Sequence, residues 1–275
     1  MIKAFLKFYS KQLTDILSNP KIIFKKIKIA IKLFKRLILL PVNFFLFLII
    51  ILTSNLKLIR VGKIKSKWVG EFVIRTEVYL QEKEVFNSKS LDFLIIDDFI
   101  SNEFFLKKIK SKIKVYPSIF LDCLNLINYF SKQFPKLRMH LAMREDQQRD
   151  VNMLLDKKPV FFNLTEKEKI EGEKILEKFV KKKYKGIVLF CIRNADYNNK
   201  FFPEGNKNRS WNYLDYRNYS FDDFLASAEF LAKKNYLVLR MGKFNSEKIK
   251  IENENIIDYS NSKWKSDFMD FFLGY

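Results

Sequence analysis

The sequence predicts an α/β fold with parallel sheets, because two short apolar runs near its end are joined through one amphipathic helical pattern. The runs cover residues 186–193 (GIVLFCIR) and 236–242 (YLVLRMG), and the helical pattern covers 221–232. Strand, helix and strand in this order form a βαβ unit, whose strands are parallel. A second observation is that residues 68–130 alternate strand-like and helix-like segments. We therefore predict two Rossmann-like halves.

The first half is predicted to run from residue 57 to residue 164. Its clearest strand pattern is LDFLII at 91–96, which ends at two aspartates. The other elements expected here are a strand or turn at 70–74, short strands at 114–116 and 159–163, and helices at 76–84, 102–112 and 121–130.

A linking helix is predicted at 165–185, followed by the second half at 186–275. Thr165 and Glu168 fit a capping box, in which the threonine side chain bonds the backbone N–H three residues on. Asn235 fits the left-handed end of the crossover helix. Ser266 is in place to cap a last helix.

Residues 1–56 are predicted to be basic amphipathic and apolar helices that associate with a membrane. Lysines recur among apolar residues up to residue 36, and Asn19-Pro20 divides this stretch into two helices. Such helices suit an anionic leaflet, and the alternative is that they pack on the protein itself. Residues 37–56 are a borderline membrane span. A tilted single pass, an in-plane or re-entrant anchor, and a buried core helix are the three interpretations.

The net charge of +20 indicates an anionic partner. Much of the positive excess brackets the apolar segment, which favours an anionic membrane surface and disfavours nucleic acid.

No metal or other cofactor is predicted. The chain has one histidine, and the adjacent Asp97 and Asp98 are explained as well by helix capping and solvation as by Mg²⁺. Cys123 and Cys191 lie in apolar runs without a pairing pattern, so both are expected to be small buried residues.

An anion site is predicted where the apolar runs of the second half end, because ligands of parallel sheets bind outside the carboxyl ends of the strands. Arg193 and Arg240 fall at those ends, and a guanidinium can give a phosphate two charge-assisted hydrogen bonds. The alternative for each arginine is a salt bridge to a neighbouring loop. Gly242 and a set of polar and aromatic loop residues complete the predicted pocket: Asn194, Asp196, Tyr197, Trp211, Tyr216, Arg217 and Asn218.

Several phrases, in their order and spacing, resemble a family of bacterial glycosyltransferases with the two-Rossmann-domain GT-B architecture. They are CIRNADY at 191–197, YRN at 216–218, YLVLRMG at 236–242, IDY at 257–259 and SDFMD at 266–270, with looser matches from residue 57 onward. The resemblance implies transfer of a sugar from a nucleotide-sugar donor to a cell-surface glycan or lipid-linked acceptor. The soluble part is then expected at the cytoplasmic face of the inner membrane, where activated sugars are made.

The resemblance assigns the acceptor to the first half and the donor to the second. Arg193 and Arg240 would neutralise the donor diphosphate, and the adjoining loops would hold nucleotide or sugar. An inverting transfer needs a base for the acceptor hydroxyl proton, and the candidates are His140, Glu77 and Asp150. A satisfied histidine or a surface ion pair is the alternative for each.

The family pattern also includes a further strand, a Gly/Ser loop at the diphosphate and closing helices, which this sequence does not contain. We therefore expect an incomplete second Rossmann-like domain, from a truncated or split relative or one completed by a partner chain. The alternative function is a non-catalytic, membrane-associated protein that binds a sugar nucleotide or glycan.

Overall fold

The computed structural model describes residues 21–86, 89–143, 150–180, 182–205 and 210–275. The described residues form two compact units, one within 21–100 and 110–159, the other within 101–109 and 160–275. The predicted α/β class with parallel sheets is confirmed. The units differ from the predicted division, because the N-terminal helix packs within the first unit and the predicted linking helix belongs to the second.

The first unit contains a four-stranded parallel sheet in the order β3–β2–β1–β4. Its strands are β1 (Ile59–Ile64), β2 (Leu91–Ile96), β3 (Val115–Tyr116) and β4 (Leu141–Ala142). Gly62 pairs with Ala142, and a Cβ at Gly62 would lie 2.7 Å from the Ala142 carbonyl oxygen. Strand β4 therefore approaches β1 only because residue 62 has no side chain.

The helices up to residue 159 are, in chain order, α1 (Lys21–Leu52), α2 (Val69–Val85), α3 (Glu103–Lys112), α4 (Leu121–Phe130) and α5 (Leu154–Lys157). The strand or turn predicted at 70–74 is wrong, because these residues belong to α2. Phe72, Thr76, Tyr79 and Leu80 are buried at helical spacing, which fixes this segment as a helix. The helices predicted at 102–112 and 121–130 are confirmed, and Asn102 caps α3 by accepting from the Phe105 N–H.

The second amphipathic helix and the apolar run form one continuous helix, α1, which passes through Pro41. The amphipathic helix predicted before Asn19 lies outside the described residues. Phe34–Leu52 is long and apolar enough to cross a membrane, by length and composition only. It is not a fully buried core helix, because burial is confined to one face. The buried residues Asn43, Phe47 and Ile50 lie on the face that packs against α4, and large apolar side chains elsewhere on the helix are exposed.

The second unit contains a three-stranded parallel sheet in the order β5–β6–β7, with β5 at Ile187–Phe190, β6 at Leu237–Arg240 and β7 at Ile256–Ile257. The helices are α6 (Glu166–Glu177), α7 (Asp196–Phe201), α8 (Leu225–Lys233) and α9 (Asp267–Gly274). The βαβ unit is confirmed, and so are the capping box at Thr165, the Ser266 cap and the left-handed Asn235.

Three further details of the sequence prediction are wrong. Residues 159–163 form no strand, since Phe162 is buried by packing its ring on Phe105 at 4.9 Å rather than by pairing in a sheet. Helix α6 ends at Glu177, short of the predicted end at residue 185, because Phe179 turns into the core against Trp264. Cys191 is exposed, because β5 ends one residue before it, whereas Cys123 is buried as expected.

Candidate functional site

A cleft of about 730 Å³ lies at the carboxyl end of β5 in the second unit. It is lined by residues of β5 such as Leu189 and Phe190, and by Arg193, Tyr216 and Arg217. Strand β5 is at the edge of its sheet, so the chain that leaves it opens directly onto this cleft. We call it the β5 cleft.

Arg193 and Arg217 bring two guanidinium groups to the β5 cleft. Neither side chain forms an ion pair or hydrogen bond with any residue that the structure describes. Burial, and then the positive charge of Arg217, lower the pKa of Arg193. Two like charges held together without an acidic partner favour an anion between them.

The segment that carries Arg217 is held by a backbone contact to the chain that leaves β5 and by a side-chain contact to the end of α7. The Tyr219 N–H donates to the Arg193 carbonyl oxygen at 2.9 Å. At the start of the 3₁₀ turn Trp211–Arg217, the buried Trp211 donates from Nε1 to the Phe202 carbonyl at 2.6 Å. Trp211 is therefore buried and is not among the residues that line the cleft, whereas Tyr216 lines it and is 77% exposed.

Arg240, the other arginine predicted at a strand end, has a structural partner. It is buried as the last residue of β6, where it donates to the Glu247 carbonyl at 2.8 Å and pairs with Asp258 at 3.4 Å. The structure therefore gives Arg240 the salt bridge that was the alternative, and places Arg217 beside Arg193 instead.

Asn194 and Asp196 belong to a polar network at the carboxyl ends of β5 and β6. Asn194 Nδ2 donates to Asn245 Oδ1 at 2.7 Å, and Asp196 Oδ2 accepts from the N–H and hydroxyl of Ser246 at 2.7 and 2.8 Å. Asn245 Nδ2 in turn donates to Ser260 Oγ at 2.6 Å. Sequence reasoning missed Asn245, Ser246 and Ser260, although the polar run after β6 was the signal of a loop at a strand end.

Gly242 makes this network possible. Its φ is +152°, and a Cβ at this position would lie 2.6 Å from Asn245 Nδ2. Gly242 therefore acts through Asn245, and it is not among the residues that line the β5 cleft.

Changing Gly242 to alanine is expected to destabilise the second unit by about 1–3 kcal/mol, because the backbone is strained and the Asn245 amide is displaced. Gly186→Ala is the matched control in the same unit, since its Cβ would only touch the Tyr236 ring at 3.4 Å. The difference in the stability of the second unit is measured by urea denaturation, with amide exchange in β6 as the readout. Equal stability of the two variants would show that Asn245 does not depend on Gly242.

The two remaining predicted donor residues contact the protein itself. Tyr197 packs its ring on Phe201 and Phe202, and burial, then the charge of Asp267, raise the pKa of Tyr197 to about 12. Asn218 Nδ2 donates to Asp215 Oδ1 at 3.0 Å and helps to close the turn that holds Arg217.

The three candidate bases lie in the first unit, and each contacts the protein itself. His140 is buried, with Nδ1 2.7 Å from the Ile59 carbonyl oxygen. Glu77 is buried and accepts from Gln81 Nε2 at 3.0 Å, and Asp150 accepts from two backbone N–H groups at the start of α5. None of the three lines the β5 cleft or the cavity described next.

A larger cavity, of about 1170 Å³, lies in the first unit and was not predicted from the sequence. It is bordered by residues that follow β1, β2 and β4 and by side chains of α1 and α4. We call it the first-unit cavity. The cationic residues that line it come from segments far apart in the sequence, so no local sequence motif indicates the cavity.

Comparison of the chain with known protein families, curated proteins and solved structures finds no match. The glycosyltransferase resemblance therefore stays a prediction that rests on the sequence phrases. Among the described residues, no group of three or more His, Cys, Asp or Glu side chains is arranged to hold a metal ion. What the second unit offers chemically is a pair of guanidinium groups beside exposed aromatic rings.

Proposed function

We propose that the β5 cleft binds the diphosphate of a nucleotide sugar and that the protein is a membrane-associated glycosyltransferase of the GT-B type. The observation that carries the proposal is the pair Arg193 and Arg217, whose guanidinium groups share one cleft and form no ion pair within the described ranges. Two planar forks suit the several oxygens of a diphosphate, because each fork can give two charge-assisted hydrogen bonds.

The rings around the cleft suit the rest of such a donor. Tyr216 and Tyr219 are exposed at its rim, and aromatic faces stack on a nucleobase or on the apolar face of a sugar. When the glycosidic bond to the donor breaks, negative charge develops on the leaving diphosphate. Fixed cations at that place stabilise the transition state more than the ground state.

Helix α1 supports the membrane part of the proposal. Its outer face exposes large apolar side chains such as Leu37, Phe45 and Leu52, while the opposite face packs on α4. A helix fixed in this way to an α/β unit cannot be surrounded by lipid. We therefore favour a monotopic anchor at the cytoplasmic face of the inner membrane over a helix that crosses it.

A second candidate function is binding of a sugar nucleotide without transfer. It is favoured by the contacts of His140, Glu77 and Asp150, each of which bonds the protein itself. A base for the acceptor hydroxyl would then have to come from elsewhere, such as a partner chain.

The test of the proposal is removal of both charges from the β5 cleft by Arg193→Gln with Arg217→Gln. Affinity for uridine diphosphate and for pyrophosphate, measured by calorimetry on the full chain, is expected to fall about 100-fold or more, since each charged hydrogen-bond partner contributes about 1.5–3 kcal/mol. Lys233→Gln with Lys234→Gln is the matched control, because these exposed residues lie where α8 ends, before the amino end of β6.

Unchanged affinity in the arginine variant, or an equal loss in the lysine control, would contradict the proposal. Incubation of the wild-type chain with nucleotide sugars and membrane lipids separates the two candidate functions. Release of the nucleoside diphosphate indicates transfer or hydrolysis, and binding without release indicates the second function.

A further inference from the structure

The first-unit cavity lies at the carboxyl ends of the strands of its sheet, where parallel sheets bind their ligands. Lys63 and Lys65 come from the end of β1, Met143 follows β4, and Asp98 follows β2. The carboxyl ends of parallel strands are the usual ligand edge of an open α/β sheet. The cavity volume of about 1170 Å³ is large enough for a headgroup together with part of an acyl chain.

The lining of the cavity is strongly cationic. Seven lysine and arginine side chains line it, against the two acids Asp98 and Asp122. Several of the cations have protein partners: Arg36 Nε donates to Asp122 at 3.0 Å, and Lys63 pairs with Asp97 at 2.6 Å.

Three of the lining cations have no acidic partner among the described residues: Lys35, Lys132 and Arg138. They come from α1, the turn after α4 and the 3₁₀ turn before β4, so the fold brings them together from distant segments. All three are exposed, which leaves their charge available to an anion at the mouth of the cavity.

The cavity borders the start of the apolar stretch of α1. Lys35 and Leu39 line it one turn apart, just where the stretch Phe34–Leu52 begins. Beyond this point the outer face of α1 is apolar and exposed, with Phe45 66% exposed. A headgroup held at Lys35 would therefore have its chains beside an apolar helix surface.

Helix α1 is fixed as a wall of this cavity by Asn43. Its Nδ2 donates to the carbonyl oxygens of Leu39 at 2.9 Å and Ile119 at 3.0 Å, and its Oδ1 accepts from the Cys123 N–H at 3.0 Å. Phe47 and Ile50 continue the contact one and two turns further on. The polar and apolar parts of the site are thus held in one rigid arrangement.

We infer that the first-unit cavity binds the phosphate headgroup of an anionic membrane lipid, whose chains lie along the exposed face of α1. Charge complementarity accounts for the headgroup, and continuity with the apolar face of α1 accounts for a lipid rather than a soluble phosphate. The inference does not depend on the β5 cleft, because every residue that it uses belongs to the first unit.

The experiment measures binding of the full chain to phosphatidylcholine vesicles with and without phosphatidylglycerol, by co-flotation. Lys132→Gln with Arg138→Gln is expected to weaken binding to the phosphatidylglycerol vesicles about 30-fold, at about fivefold per cation near the membrane surface. The matched control is Lys110→Gln with Lys112→Gln, which removes the same charge from exposed positions of α3 outside the cavity. It is expected to change binding by about threefold or less.

An equal loss in both double variants would overturn the inference, because it would indicate a general attraction of the positive chain to an anionic surface. No loss in the cavity variant would overturn it as well. Glycerol phosphate in solution is expected not to displace the vesicles, and full displacement would show a site for soluble phosphate instead. Uridine diphosphate affinity should be unchanged in the cavity variant, so this test and that of the β5 cleft fail independently.

Discussion

Replacing Asp92 with asparagine is expected to lower the free energy of unfolding of the first unit by about 3–5 kcal/mol, the cost of breaking a buried ion pair from one side. The Asp92 side chain is only 3% exposed. It accepts from Arg60 Nε and Nη2 at 2.9 and 2.8 Å, from Lys83 at 2.9 Å, and from the Tyr79 hydroxyl. An amide in its place leaves two cations without a counter-charge.

The pH dependence of this effect has a defined sign. Burial by itself would raise the pKa of Asp92, but the hydrogen bonds from Arg60, Tyr79 and Lys83 outweigh it and hold the pKa below its ordinary range. The stabilisation is therefore present above the unfolded pKa of about 4 and is lost as the pH falls toward the folded pKa. The difference between wild type and the asparagine variant should be full at neutral pH and should shrink below about pH 4.

Amide exchange of β1 and β2 in the full chain measures this stability locally, without requiring both units to unfold together. Asp156→Asn, at an exposed position of α5, is the control and should change stability by about 0.5 kcal/mol or less. If the two variants behave alike, the buried charge cluster is not a main support of the first sheet.

Truncating Phe47 to alanine is expected to destabilise the first unit by about 3–5 kcal/mol, as for other buried phenylalanines. Its side chain is 5% exposed and stacks on Phe130, with 5.4 Å between ring centroids. It also belongs to a cluster with Val61 and Ile95 of the sheet. The effect is expected because α1 is part of this core.

Phe45→Ala is the matched control, since it removes the same ring two residues away from an exposed position of α1. It should change the stability of the first unit by about 0.5 kcal/mol or less, measured again by amide exchange of β1 and β2. Equal effects of the two substitutions would mean that α1 does not pack on the first unit, and would remove the argument for a monotopic anchor.

The parts of the fold that the sequence predicts well are those with a clear hydrophobic period. Strand β2 and helix α4 have the predicted bounds, and α8 forms within the predicted amphipathic pattern and buries Ala228 and Ala232. Strand β1 was missed because IRVGKI carries two cations, which looks unlike a central strand. In the structure Arg60 pairs with Asp92 of β2, and Lys63 pairs with Asp97, which directly follows β2. These two acids offset the two positive charges of β1.

The candidate sites were harder to predict, because they depend on partners distant in sequence. Arg193 and Arg240 looked equivalent in the sequence. In the structure, however, Arg240 pairs with Asp258, and a 3₁₀ turn places Arg217 in the same cleft as Arg193. Asn43 lies within the apolar stretch of α1, and it bonds this helix to Ile119 and to Cys123 of α4. Such pairings follow from the tertiary fold and leave no mark in local periodicity.

Hydrogen exchange of the full chain, with and without uridine diphosphate, tests whether the β5 cleft binds a nucleoside diphosphate. We expect slower exchange at residues 189–193 and 211–219, with no change in β4 or α4 of the first unit. No protection at these residues under saturating ligand, or protection confined to the first unit, would contradict it.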